Sequence, residues 1–366
     1  MIMERELFAL LRLGLGNTVA EEEDLSSFLM LTSDQWVRVG ELAQEQGVLG
    51  VLVDGFDRLD ASCADLTKNV PEQLKYEWIG NVLLGFEVDN HKQFLVIDDI
   101  QQKWAAAGIR TMVMKGQAMG VYYPVPQHRS PGDIDCYLFG GYESGNKIAK
   151  VFADNVNEDW YKHSVISYKG ETIENHQYFV HTREGRRSKQ LNQLLTDLLR
   201  DESIEFRVLP GTGALLPPPM FNAVFLTYHA FVHFLEEGVR LKLILDWAMF
   251  LKRDADKVEW KEFWKICDKY SFRRFAEVMN DIACHYLGVK LQNGEIAVNS
   301  PYTEKVLQSS FNDKDYVFGS GKSAWNNRWH IVRNLFKYRW KYNEIYQRSI
   351  VWQMWWYAVG FLFKTD

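Results

Sequence analysis

Two aspartates one residue apart, Asp133 and Asp135, have the spacing in this chain that best suits chemistry. Alternate residues of a β-strand share a face, and an apolar run at 136–139 follows directly, so both carboxylates are predicted to point the same way from a buried strand. Carboxylates that close repel each other unless a cation lies between them. Mg²⁺, held by carboxylates and substrate phosphate oxygens, is the natural occupant. The pair therefore predicts a metal-dependent phosphoryl or nucleotidyl transfer site.

Spacing alone is a weak signal, because the chain contains two more pairs of this kind. They are Asp254 with Asp256 and Asp313 with Asp315. Both lie in polar sequence beside lysines, and we interpret both as solvated turns. Asp133 and Asp135 differ in their context. A run typical of a buried strand follows them, and a Lys-Gly pair lies about one crossover before them.

The residues upstream of the two aspartates suit a bound phosphate chain. Lys115 ends the apolar run 110–114 and is predicted to meet a triphosphate as a point charge. Gly116 has no side chain, so its amide can approach a phosphate closely. Arg129, in the Pro-rich loop that precedes the aspartates, can bind phosphate bidentately, the alternative being an ordinary surface arginine. His128 is interpreted as a loop residue.

Taken together, these motifs resemble a known family. The chain resembles the uncharacterised nucleotidyltransferase family of the DNA polymerase β-like superfamily in the order of four features. These are a Lys-Gly pair, a helix ending in Tyr-Tyr, an arginine, and Gly-Asp-Ile-Asp before an apolar strand. The superfamily usually has Gly-Ser where this chain and that family have Lys-Gly. The resemblance covers about residues 5–290 and continues through Glu174-Asn175-His176, the paired His229 and His233, and Leu245-Asp246.

The resemblance implies three carboxylates that hold two divalent ions, Mg²⁺ or Mn²⁺. Asp133 and Asp135 match the first two positions, and Glu174 matches the third through its Glu-x-His motif. Glu205, in the strand-like run 204–209, is the rival third carboxylate, and the sequence leaves that choice open.

Three histidines and one further aspartate are candidates for an acceptor pocket. His176 is expected to orient Glu174 or to contact substrate. His229 and His233 are four residues apart and share a helix face. Metal binding by that pair needs a third ligand, which no neighbouring residue supplies, although Asp246 could lie close on the next helix. We therefore expect these side chains to line the pocket.

The elements that must position these residues define an α+β fold. We expect a small mixed β-sheet nucleotidyltransferase core flanked by N-terminal helices and a C-terminal helical domain. Strands are predicted at 110–114, 133–139, 160–168 and 172–181, with a hairpin turn at 169–171. The predicted divisions are an N-terminal helical region (1–108), the α/β core (109–210), a helical domain that walls the acceptor pocket (218–290), a loop-rich segment (291–322) and a basic aromatic helical tail (323–366).

Bulk properties narrow the class of protein. The chain has 366 residues, 47% hydrophobic and 25% charged, which is typical of a folded globular protein. A formal charge of −6 argues against broad nucleic-acid coating. Four scattered cysteines, no signal-peptide pattern and no apolar run of about 18 residues make a cytoplasmic protein the expectation.

The tail allows more than one partner. From Lys322 to Asp366 there are eight Lys and Arg against two Asp and Glu, interleaved with tryptophans. Amphipathic helices packed on the body are favoured over peripheral membrane contact or a nucleic-acid surface. The expected partners are an NTP and an unidentified acceptor. The alternative functions are a catalytically silent nucleotide- or partner-binding protein, and a membrane-surface accessory protein in surface-polysaccharide assembly.

Overall fold

Helices fill the N-terminal part of the chain, as predicted. The computed structural model describes residues 2–17, 25–201, 204–236, 238–291, 296, 299–312 and 337–348. The first helices are α1 (Ile2–Gly14), α2 (Ser33–Glu45), α3 (Leu49–Ser62), α4 (Glu72–Gly80) and α5 (Glu87–Ala105). A π-helical turn, Asn81–Phe86, joins the last two without a break.

The start of α2 shows how local sequence sets a boundary. The hydroxyl oxygen of Thr32 accepts from the amide of Gln35, and the side chain of Gln35 accepts from the amide of Thr32. These reciprocal bonds satisfy two amides that a helix start leaves without partners.

A five-stranded mixed sheet carries the aspartate pair. Its strands are β1 (Thr111–Met114), β2 (Ile134–Leu138), β3 (Asn155–Asn157), β4 (His163–Tyr168) and β5 (Glu171–His176), in the order β1-β2-β5-β4-β3. Only β2 and β5 are parallel neighbours; the other pairs are antiparallel. Helices α6 (Gly116–Gly120), α7 (Tyr142–Phe152) and α8 (Arg186–Asp197) connect or follow these strands. The mixed α+β class predicted from the sequence agrees with this architecture.

The two faces of the sheet have different roles. Ile134, Cys136 and Ile173 on one face form a buried cluster with α5 and with Ala149 of α7. Because side chains alternate along a strand, Asp135 points to the opposite face. There Tyr137 packs on Phe179, with ring centroids 4.7 Å apart. The sheet therefore hides one face in a core and turns its acidic face toward the C-terminal helices.

Those C-terminal helices are α9 (Pro219–Glu236), α10 (Leu241–Asp254), α11 (Trp260–Tyr270), α12 (Arg273–Asp281) and α13 (Thr303–Asn312). Their large apolar side chains, among them Phe234, Trp247 and Phe263, are fully buried together with residues of α1 to α3. Among the described residues, no helix combines the length and apolar composition needed to cross a bilayer.

Close packing fixes the loop that precedes β2. A Cβ added at Gly50 of α3 would lie 2.1 Å from the carbonyl oxygen of His128, so only glycine permits this approach. The His128 ring contacts Asp54 through Nδ1 (2.7 Å) and Glu87 through Nε2 (3.0 Å). Asn90 donates to the carbonyl of Arg129. The N-terminal helices thus hold the loop from which the aspartate strand begins.

Two expectations about local structure are wrong. The run 204–209 forms no strand: Val208 makes one isolated antiparallel bridge with Leu215, flanked by the bonds that Leu209 donates to Ala214 and Leu216 donates to Arg207. Asp254 is 1% exposed rather than solvated, since Tyr122, Arg207 and Lys257 all donate to it. Its neighbour Asp256 is exposed, as expected. Residues 313–315 and most of the tail lie outside the described residues.

Candidate active site

A cleft of about 540 Å³ lies between the acidic face of the sheet and helices α9 and α10. This volume falls within the range of small-molecule sites, about 300–1,000 Å³. Nine of the residues singled out from the sequence line it: Lys115, Gly116, Arg129, Asp133, Asp135, Glu174, His229, His233 and Asp246. His176 lies directly beneath, 1% exposed.

The sheet register brings the carboxylates together. Asp135 of β2 and Glu174 of β5 are direct partners on adjacent parallel strands. Asp133 immediately precedes β2 and opens onto the same cleft. Glu205 is exposed and does not line this cleft. The structure therefore groups Glu174, and not Glu205, with the aspartates.

The three carboxylates differ in their electrostatics. Partial burial and the charges of Glu174 and Asp135 raise the pKa of Asp133. Burial would raise the pKa of Asp135 as well, but Lys115 and His176 outweigh it and hold that pKa well below the usual range. Burial likewise opposes ionisation of Glu174, and the hydrogen bond with His176 leaves its pKa lowered. Negative charge is thus concentrated beside Asp133, and a bound cation would reduce the repulsion between these carboxylates.

Lys115 reaches the acidic centre from a strained turn. Its Nζ lies 2.7 Å from Oδ1 of Asp135. The lysine has φ 48° and ψ −142°, a conformation that residues with a side chain rarely adopt. Gly116 follows at φ 33°, and a Cβ there would touch the carbonyl of Asp133 at 3.4 Å. The Lys-Gly pair therefore packs directly on the aspartate segment.

Arg129 is engaged by the protein itself. Its Nε and Nη2 each donate to one oxygen of Asp246 at 2.8 Å, and Tyr123 donates to the same carboxylate at 2.8 Å. Burial would lower the pKa of Arg129, but the charge of Asp246 raises it. With Arg129 and Asp246 only 5% and 2% exposed, this bidentate pair ties the loop before β2 to α10.

Two lysines of the cleft were missed by sequence reasoning. Burial lowers the pKa of Lys242 to about 7 and that of Lys162 to about 8. Nζ of Lys242 donates to the carbonyl of Pro131, just before the aspartates. Lys242 lies four residues before Asp246 on a helix, which is a spacing that places both on one face and could have identified it.

His163 was missed in the same way. It is the direct partner of His176 across the hairpin. The turn consists of Lys169 and Gly170 alone, and this two-residue length sets the pairing. The predicted turn at 169–171 is one residue longer and would pair residue 163 with residue 177, so the sequence prediction did not identify this contact. Nε2 of His163 lies 3.4 Å from Oε1 of Glu174, and burial lowers the pKa of His163 to about 4.

The far wall of the cleft is formed by rings. His229 stacks on Phe225, and its ring centroid lies 4.4 Å from that of His233. Burial lowers the pKa of His229 well below its ordinary value, and that of His181 to about 4. His229 and His181 are therefore neutral hydrogen-bonding groups near neutral pH.

Fold and site together define a class: an α+β protein whose mixed sheet presents acidic side chains and a Lys-Gly turn to a cleft closed by helices. Comparison with known families agrees with this class and makes it specific. Residues 32–288 match the uncharacterised nucleotidyltransferase family, and the chain belongs to that family. No curated protein and no solved structure matches the chain.

Proposed function

We propose that this protein transfers a nucleoside monophosphate from an NTP to an acceptor hydroxyl or phosphate. The observation that carries the proposal is the meeting of Asp133, Asp135 and Glu174 at one cleft with the strained Lys115-Gly116 turn. Membership of a nucleotidyltransferase family supports the reaction class. We also propose that the protein belongs to the DNA polymerase β-like superfamily. The order of strand, Lys-Gly turn, short helix and aspartate strand supports this proposal.

The donor set fits divalent cations. Three carboxylates converge, and the pKa of Asp133 is raised by burial and by its acidic neighbours, so the site holds more negative charge than Lys115 alone balances. Oxygen ligands of this kind suit Mg²⁺, with Mn²⁺ as an alternative. Asp133, Asp135 and Glu174 would hold two ions. When bound, such ions stabilise charge on the attacking and leaving oxygens of the phosphoryl group.

The cationic side chains of the cleft would bind the triphosphate. Lys115, Lys162 and Lys242 line the same cavity, and phosphate oxygens would replace the contacts that two of them now make with Asp135 and Pro131. The Gly116 amide remains a candidate for close phosphate contact. Arg129 would act mainly by positioning, because Asp246 already engages its planar guanidinium.

The acceptor would enter from the helical side. His229 and His233 on α9 face the carboxylates across the cleft. Imidazole and aromatic rings can orient a hydroxyl-bearing group by hydrogen bonding and stacking. Asp246 would contribute indirectly, through Arg129.

The direct test follows label from the α-phosphate of each NTP, with Mg²⁺ or Mn²⁺, into pools of sugars, sugar phosphates, proteins and RNA. Asp135→Asn and Glu174→Gln are expected to lower transfer by at least about a hundredfold. The chain offers two matched controls. Asp256→Asn changes the exposed member of another aspartate pair of the same spacing, and Glu205→Gln changes the rival position. Both controls are expected to retain wild-type transfer.

Three outcomes contradict the proposal. Equal transfer by the wild type and Asp135→Asn would show that the carboxylates are not catalytic. Calorimetric binding of NTP without transfer to any pool would favour the silent nucleotide-binding alternative, and absence of both would remove nucleotide chemistry altogether. The membrane alternative stays a prediction, since only residues 337–348 of its segment are described; liposome flotation with and without residues 323–366 tests it.

A further inference from the structure

Two histidines and a glutamate on the β4–β5 hairpin direct ligand atoms to one point beside the cleft. One ligand atom from each of His163, Glu174 and His176 lies within 4.8 Å of the others. Among the described residues, this is the group of three that has metal-ligand spacing. The sequence analysis assigned no metal to either histidine.

The distances within the group resemble those around a single ion. Nε2 of His163 is 3.4 Å from Oε1 of Glu174, and Nε2 of His176 is 3.2 Å from Oε2. Neighbouring ligands at about 2.1 Å from one ion are about 3.0 Å apart in octahedral and about 3.4 Å apart in tetrahedral coordination. Oδ1 of Asp135 lies 2.9 Å from Nε2 of His176, so this carboxylate borders the group without belonging to it.

The orientation of His176 supports a ligand role. Its Nδ1 lies 3.2 Å from the carbonyl oxygen of Tyr178, and a nitrogen facing a carbonyl must carry the proton. Metal-binding histidines commonly donate their second ring nitrogen in this way, which fixes the tautomer. The other nitrogen, Nε2, faces oxygens of both Asp135 and Glu174, an arrangement that requires a proton or a metal ion between them.

The scaffold beneath the group is rigid. His163 and His176 are register partners on antiparallel strands, and Glu174 is paired with Val165 on the same two strands. His176 is 1% exposed. Sites on regular strands keep ligand geometry more closely than sites on loops, so the group needs little rearrangement to close on an ion.

We propose that His163, Glu174 and His176 bind a divalent transition-metal ion through two imidazole nitrogens and a carboxylate. This deepens the proposed function, because the ion at Glu174 would then be Mn²⁺ or a heavier first-row metal in preference to Mg²⁺. Magnesium favours an all-oxygen shell, whereas imidazole favours transition metals, with affinity rising from Mn²⁺ through Co²⁺ toward Zn²⁺.

The test uses the full chain, stripped of metal by chelation and without nucleotide. Calorimetric titration with Mg²⁺, Mn²⁺, Co²⁺ and Zn²⁺ is expected to give rising affinity in that order. Pulsed electron paramagnetic resonance of the Mn²⁺ form is expected to show coupling to imidazole nitrogen. His163→Asn should weaken Zn²⁺ binding by at least about tenfold and reduce the nitrogen coupling.

His181→Asn is the matched control. His181 lines the same cleft but lies outside the metal-binding group, and its Nδ1 is hydrogen-bonded with the hydroxyl of Tyr161. It should leave metal affinity unchanged, and circular dichroism should show that both variants fold. Equal affinity for Mg²⁺ and Zn²⁺, absence of nitrogen coupling, or an unchanged His163→Asn variant would each overturn the inference. Nucleotide transfer with Mg²⁺ would survive that result, whereas nitrogen-coupled metal without transfer would leave the metal site and remove the proposed function.

Discussion

The buried pair of Arg129 and Asp246 allows the role of Arg129 to be decided by experiment. Its sequence suggests a phosphate ligand, whereas its contacts suggest an anchor between the loop before β2 and α10. Removing one partner of a buried, hydrogen-bonded ion pair costs about 3–5 kcal/mol, because the other charge is left without compensation. In the Arg129→Met variant Asp246 keeps only the bond from Tyr123, so we expect a loss of about 3 kcal/mol in unfolding free energy.

The assay is urea unfolding of the wild type, Arg129→Met, Asp246→Leu and the double variant. Replacing both partners by apolar side chains is often close to neutral, so the double variant should be less destabilised than the sum of the singles by about 2 kcal/mol or more. Glu41→Gln is the control, because its pair with Arg38 is 34% and 55% exposed and should be worth less than about 1 kcal/mol.

Nucleotide binding by the same variants separates the two roles. An anchor affects the cleft equally from either end, so Arg129→Met and Asp246→Leu should weaken NTP binding to a similar extent. Single variants that cost less than about 1 kcal/mol, or that add without coupling, would refute the buried-pair reasoning. A much larger loss of NTP affinity in Arg129→Met than in Asp246→Leu would restore the direct phosphate contact.

Three further predictions concern the surroundings of the site. Burial lowers the pKa of His128, but its bonds to Asp54 and Glu87 outweigh burial and leave that pKa raised. The stabilisation that protonated His128 gives the fold is therefore full below the unfolded pKa of about 6.5 and is lost as pH rises through the folded pKa. In urea unfolding, His128→Gln should thus destabilise the protein more at about pH 6 than at about pH 9. Gly50→Ala should destabilise the fold by about 1–3 kcal/mol in urea unfolding, because the new Cβ meets the His128 carbonyl. Gly80→Ala is the control: a Cβ there has no atom within 4 Å, and alanine favours a helix more than glycine does, so the fold should gain up to about 1 kcal/mol. The pKa values of Lys242 and Lys162 are lowered to about 7 and about 8, and the negative charge of a bound triphosphate should raise both. Calorimetry in buffers of different ionisation enthalpy should therefore show proton uptake on nucleotide binding near pH 7.5. Lys242→Met should reduce this uptake.

Local patterns in the sequence were sufficient to predict β1, β2, β4 and β5, but not β3. The hairpin between β4 and β5 depends on residues a few positions apart, and it formed with a turn one residue shorter than expected. The run 204–209 has the apolar alternation of a strand but makes only one isolated bridge, between Val208 and Leu215. Alternation indicates which face a residue occupies, but not how many residues will pair with a neighbouring segment.

Partners distant in the chain could not be predicted in the same way. Asp246 lies 117 residues from Arg129, and Asp254 lies 132 residues from Tyr122, so nothing in the local sequence indicates these pairings. The sequence around Asp254 predicts a solvated turn for this reason. Its burial depends on a tyrosine and an arginine that only the folded chain brings near.

The long-range contacts also explain why separate sequence motifs belong to one site. Tyr122 and Tyr123 end the segment after the Lys-Gly turn, and their hydroxyls donate to Asp254 and Asp246 on α10. Asp246 in turn holds Arg129, which lies four residues before Asp133. Because the same helix receives the tyrosines and the arginine, it fixes both ends of the loop that leads into the aspartate strand. The helical region is therefore part of the machinery that positions the carboxylates, and a change in α10 should alter the cleft even where it touches no ligand.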